Sequence, residues 1–219
     1  MRVFRAALLA LAVALLATSA VWANSISGDL TADNIFTAYL STSPTSLGTE
    51  IASGSNWQTA YGFSNVSLTP GTTYYLQVEG INSGTYNPSI NPGAILGSFS
   101  LSGNFQFSNG SQSLLTDTTD WTYATTGFGA GAYAPAAYGA NNQSSTIWYG
   151  AHGGPIANIS GNADWIWYNG DVGYLATPLY FETTITPLGI LSAAPEPGSF
   201  LLLGTGLLFA AGLWRRLAN

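Results

Sequence analysis

Between Asn24 and about Pro187 the chain alternates apolar and polar residues in short runs. "NIFTAYL" sets Ile35, Thr37 and Tyr39 against Phe36, Ala38 and Leu40. In "VSLTPGTTYYLQVEG", Pro70-Gly71 separates two such runs, and the second sets Tyr74, Leu76 and Val78 against Tyr75, Gln77 and Glu79. A period of two marks half-buried strands, and Pro-Gly marks their connection. "AILGSFSLSGNFQF" predicts a further pair around a Ser-Gly-Asn turn. "DWIWY" predicts Trp165 and Trp167 on one face, and "ATPLYFETTITP" a long late strand with Leu179, Phe181, Thr183 and Ile185 inward. No amphipathic helix stands out. The pattern predicts an all-β antiparallel sandwich, with Trp57, Trp165, Trp167 and Phe181 in its core. From about Gly127 to Gly161 the periodicity fades, which predicts long loops with one short strand at "STIWYG".

The two ends break this pattern. "MRVFRAALLALAVALLATSAVWA" has a charged start (Arg2, Arg5), an apolar run from Ala6 to Ala17, and Val21-Trp22-Ala23. Those are the parts of a signal peptide, with cleavage after Ala23 and Ala20 as the alternative. Near the other end, Pro195 and Pro197 bar helix on their N-terminal side, and Ser199 can cap a helix that follows. Phe200 to Trp214 carries no charge. At a rise of about 1.5 Å per residue it reaches roughly 22 Å, less than a hydrocarbon core of about 30 Å. Trp214 suits the interface and Arg215-Arg216 the cytoplasmic side. The expected division is a signal peptide at 1–23, a sandwich body at 24–190, and a tail at 191–219 with a short transmembrane helix.

Charge sharpens this division. The chain has no Lys, and its four cations are Arg2, Arg5, Arg215 and Arg216. All ten acids lie between those pairs. A body without a basic footprint cannot gain from counterion release, which excludes nucleic acid. Cysteine is absent, so thiol catalysis and Cys-ligated metals are excluded, and burial rather than disulfides must hold an exported body together.

The segment "PEPGSFLLLGTGLLFAAGLWRRLAN" resembles the PEP-CTERM sorting signal of Gram-negative bacteria: Pro195-Glu196-Pro197, an apolar span, then Arg215-Arg216. The resemblance implies an exosortase as partner. That membrane cysteine protease and transpeptidase-like enzyme would remove the tail near the PEP motif. It also implies a protein of the outer surface or extracellular matrix, associated with exopolysaccharide and biofilm and anchored in the inner membrane until processing. The body is similar, in the order "LTADNIFTAYLS", Trp57, "LTPGTTYYLQVEGIN", "AILGSFSL" and "ADWIWYNGDVGYLATPLYFETTITP", to galactose-binding-like jelly-roll domains. It departs from them where Phe-Arg is common in the last strand, reading Tyr180-Phe181-Glu182.

Candidate chemistry is sparse. His152 is the sole histidine, and no Gly-x-Ser-x-Gly elbow accompanies it, so a Ser-His-Asp triad has no second base. Glycoside hydrolysis needs two carboxylates across a cleft; Asp29 with Asp33, and Asp164 with Asp171, are the pairs on offer. Asx turns account equally for Asp33-Asn34 and for Asp117 to Asp120. Hard oxygen ligands suit calcium, with Asp29 and Asp33 the candidates for a structural ion. Tyr133, Tyr138, Trp148 and Tyr149, with Asn141, Asn142 and Gln143, could stack on and hydrogen-bond a sugar, or could equally steady the loops. The Asn-x-Ser sites at Asn65, Asn109, Asn142 and Asn158 are short patterns expected in so Asn- and Ser-rich a chain. The expectation is a non-enzymatic, structural or adhesive surface protein, with a lectin-like module as the alternative and a glycosidase third.

Overall fold

The structure, a computed structural model, describes residues 23–84, 87, 90–130, 133–168 and 178–189. The signal segment before Ala23, the tail from residue 190 onward and Asp171 lie outside these residues. Among the described residues no helix is long and apolar enough to cross a membrane.

The unit Ala23–Gly189 contains β1 (Ser25–Asp33), β2 (Ile35–Ser41), β3 (Thr49–Gly54), β4 (Tyr61–Ser67), β5 (Tyr74–Ile81), β6 (Ala94–Ser102), β7 (Phe105–Phe107), β8 (Ser113–Leu115), β9 (Thr122–Ala124), β10 (Ala136–Ala140), helix α1 (Ile147–His152), β11 (Asp164–Trp167) and β12 (Leu179–Pro187). One sheet runs β10-β11-β6-β1-β4, with β8 also on β6. The other runs β3-β2-β5-β12-β7, with β9 also on β12. Every pairing is antiparallel. The protein is therefore all-β, built from two antiparallel sheets.

The expected alternation sets the faces. Phe36, Ala38 and Leu40 of β2, Leu76 and Val78 of β5, and Leu179, Phe181 and Ile185 of β12 all enter the cluster between the sheets. Ile26, Ile95, Phe99 and Leu101 meet them from the first sheet. Burying side chains of this size contributes about 1.5–3 kcal/mol each, so this seam is the main source of stability in a chain without disulfides.

The connections differ from the sequence expectation. Pro70-Gly71 joins β4 of the first sheet to β5 of the second, and Gly103-Asn104 joins β6 to β7 across the same gap. Neither is a hairpin between paired neighbours. Alternation reports which face a residue occupies, not which strand lies beside it. Gly103 takes φ 78°, and a Cβ there would collide with Asn24 Oδ1. Only glycine fits both demands.

A second correction concerns "STIWYG". The segment forms α1, not a strand. Thr146 caps it, with its Oγ1 accepting the Tyr149 N–H at 3.1 Å, and Gly153 closes it at φ 81°. Thr at the N-cap and Gly after the last turn are the ordinary end signals of a helix. Residues 141–163 then fold over the outer face of the first sheet. There Trp148, Ile156 and Ile159 pack on Ala94, Leu96 and Trp165 as a separate cluster.

This arrangement also parts the two tryptophans expected on one face. Trp165 joins the outer cluster, whereas Trp167 meets Phe181 between the sheets at 5.4 Å. β11 touches β6 through one ladder pair, Ile166 with Ile95, and its ladder with β10 shifts register between Ala137 and Ala140. So short and irregular a strand does not keep the period of two.

Candidate functional site

The densest grouping of the sequence candidates is the cover over the first sheet. Trp148 stacks on Trp165 with ring centroids 4.5 Å apart and planes 14° from parallel. Its Nε1–H donates to Asp33 Oδ2 at 3.0 Å. Asp33 Oδ1 accepts from Asn34 Nδ2 at 2.6 Å. Burial pushes the Asp33 carboxyl above its ordinary pKa, and the Trp148 hydrogen bond opposes that rise. Trp57 stands edge-on to Trp165 at 6.5 Å and to His152 at 6.4 Å. The His152 Nδ1 lies 3.1 Å from the Gly154 carbonyl oxygen.

Asn141 ties the cover together. Its Oδ1 accepts the Ile156 N–H at 2.8 Å, and its Nδ2 donates to the carbonyls of Ile156 at 3.0 Å and Ile159 at 3.1 Å. A buried amide with donors and acceptors both matched is a structural staple. Gln143 serves locally too, accepting from the Ala140 N–H and donating to Ser145 Oγ at 2.8 Å. Asn142 is exposed.

The four aromatics proposed for sugar stacking do not share a surface. Trp148 is 3% exposed, with one ring face on Trp165. Tyr138 is half-buried edge-on to Trp148 at 6.3 Å, and its hydroxyl donates to the Tyr168 carbonyl. Tyr149 is half-buried on α1. Tyr133, 57% exposed, lies against Tyr123 at 5.5 Å. Asp29 and Asp33 both sit on β1, and both Asp33 oxygens are engaged. Among the described residues no group of three His, Cys, Asp or Glu could hold a metal ion. Asp117 forms the expected Asx turn, its Oδ1 accepting from the Thr119 and Asp120 N–H groups. Burial, followed by the charge of Asp117, raises the pKa of Asp120 and of Asp164.

Alternation missed one polar site. The pattern sets Gln77 on the face opposite Leu76 and Val78, yet it too is fully buried. Its Nε2 donates to the Ser43 carbonyl at 3.2 Å and to Glu182 Oε2 at 3.0 Å. Phe128 stands edge-on to Tyr180 at 5.0 Å and to Tyr39 at 6.4 Å on the same face. Burial raises the Glu182 carboxyl, and the Gln77 amide opposes it. The covering residues come from distant loops, so no local signal announces them. Elsewhere, beside edge strands β3 and β4, a groove of about 560 Å³ is lined by Leu40, Leu47, Ile51, Val66 and Tyr74 with serines and threonines. No charged side chain lines it.

The ends of the unit meet at one turn. The Ala23 carbonyl accepts from Ser102 Oγ at 2.5 Å. The Asn24 carbonyl accepts the Leu68 N–H, and Asn24 Oδ1 accepts the Asn104 N–H, each at 2.8 Å. Asn104 also holds the other end: its Nδ2 donates to the Leu188 carbonyl at 2.8 Å, and its own carbonyl accepts the Leu188 N–H at 3.0 Å.

A family model described as the PEP-CTERM protein-sorting motif matches residues 193–216, which include Pro195, Glu196, Pro197, Arg215 and Arg216. The chain carries this motif, which indicates sorting to the cell surface by an exosortase system. No curated protein and no solved structure matches the chain.

Proposed function

We propose that this chain is a non-enzymatic component of the outer surface or extracellular matrix of a Gram-negative bacterium. It is exported through its signal peptide, held briefly at the inner membrane by its tail, and released to its destination by an exosortase. The body is a jelly-roll-like sandwich with a structural or adhesive role among exopolysaccharides. The sorting motif at 193–216 carries this reading. The strand order supports the jelly-roll form, because the chain changes sheet at every connection of described strands except β2–β3 and β10–β11. A passive role is supported by what the chemical candidates are doing. Asp33, Trp148 and Asn141 serve packing, and Asp117 serves a turn.

Replacing Pro195, Glu196 and Pro197 by alanine in a host with an exosortase tests the sorting. Immunolabelling of intact cells is expected to lose the body from the surface, and unchanged labelling would overturn the reading. The lectin alternative rests on Tyr133, the one exposed aromatic of the four. A glycan array positive for the native body and blank for Tyr133→Ala would establish it. Trp148→Ala cannot serve as that test, since Trp148 is buried.

A further inference from the structure

The turn that holds both ends of the body also bears on how the first of them is processed. This inference rests on the reading that signal peptidase cuts between Ala23 and Asn24. Hydrolysis there adds water across one amide, leaving a carboxylate on Ala23 and an ammonium on Asn24. A protease takes its substrate as an extended strand and uses the backbone groups flanking the bond. In the folded body those groups are committed. Asn24 is bonded by both its carbonyl and its side chain, and the Ala23 carbonyl is held by Ser102. Ser25, the next residue, opens β1 and is laddered on one side to Ser67 and on the other to Ser102. A side chain at position 103 would collide with Asn24 Oδ1. At the other end, Asn104 also holds Leu188 through both the N–H and the carbonyl of Leu188.

We propose that the Ser102-Gly103-Asn104 turn is a clasp that withdraws the Ala23–Asn24 bond from signal peptidase once the body folds. Cleavage at the N-terminal end then has to precede folding. A chain that folds first keeps its signal segment.

The full chain with its signal segment intact, refolded from urea into detergent micelles, provides the test. Purified signal peptidase is added either at the moment of dilution or after refolding is complete, and products are identified by mass spectrometry. Cutting a folded segment requires local opening. The refolded chain is therefore expected to be cut at least about tenfold more slowly than the freshly diluted one. Asn104→Ala, and independently Ser102→Ala, are expected to speed cutting of the refolded chain. Slow hydrogen exchange at amides of β5 and β12 would confirm that each variant remains folded. Equal rates before and after refolding would overturn the clasp, as would cutting after Ala20 in both forms. A freshly diluted chain that is never cut would instead remove the signal-peptide reading on which the clasp depends.

Discussion

The seam between the sheets and the cover over the first sheet are both buried, but different physics holds each. The seam is mainly apolar: Phe36, Leu76, Val78, Phe105 and Phe181 arrive on alternating positions of laddered strands, with Thr183 a polar exception. The cover is half polar in its fastenings. It is aligned by Trp148 on Asp33, by Asn141 on the backbone of Ile156 and Ile159, and by Thr146 at the start of α1. Burial alone does not choose among loop conformations, whereas a matched set of hydrogen bonds does. The seam therefore supplies most of the stability, and the cover gets its shape from a few polar atoms.

The hardest way to break the seam is Phe181→Ala, expected to cost about 3–5 kcal/mol because the cavity lies among Trp167, Tyr123 and both sheets. Urea unfolding by tryptophan fluorescence would measure it as one cooperative transition. Asn141→Ala is expected to cost less, about 1–3 kcal/mol, by stranding the buried N–H and carbonyl of Ile156. Hydrogen exchange should speed up at Ile156 and leave β5 and β12 protected. Equal loss of protection in both regions would erase the distinction drawn here.

Acid sharpens the comparison from another side. Burial raises the pKa of four carboxyls, Asp33, Asp120, Asp164 and Glu182. A raised folded pKa means that the native state binds its proton more tightly than the unfolded chain. The resulting stabilisation is complete below the unfolded value near 4 and fades as pH rises through the folded values. The melting temperature is therefore expected to climb as pH falls from 7 toward 4. Asp33→Asn, which keeps an acceptor for Trp148, should flatten part of that climb. A melting temperature that falls over the same interval would refute the assignment. The smallest effect is expected at Tyr133→Ala, within about 0.5 kcal/mol in thermal unfolding, since an exposed ring outside both clusters contributes little.

The sequence made the seam readable and the cover unreadable for the same reason. In β2, β5 and β12 each side chain's face follows from its position in the strand, so spacing alone groups Phe36 with Ala38 and Leu40, groups Leu76 with Val78, and turns Phe181 inward. The cover is built from contacts between residues far apart in sequence, such as Asp33 with Trp148. Ile147, Trp148 and Tyr149 have strand-like side chains, and six residues are too few for helical periodicity to show. Thr146 and Gly153, the end signals, were the clue available. The candidate residues were legible as types and not as places. An Asn beside aromatics fits a sugar site and a loop staple equally well until its partners are known. Gln77 eluded the pattern because the residues that cover it belong to other loops. The sorting motif was legible throughout, since it is a linear signal of residue order.

The alternation of the chain between sheets has a kinetic side. β1 waits for β6, pairing Ser25 with Ser102 and Asp33 with Ala94, and β5 waits longer for β12, pairing Gly80 with Leu179 and Tyr74 with Ile185, so contact order is high and folding is expected to be slow. β12 is the strand that joins β5 to β7 and β9. The second sheet therefore stays unfinished until nearly the whole body has emerged from the translocation pore, while the first strand of the body finds both its partners much earlier.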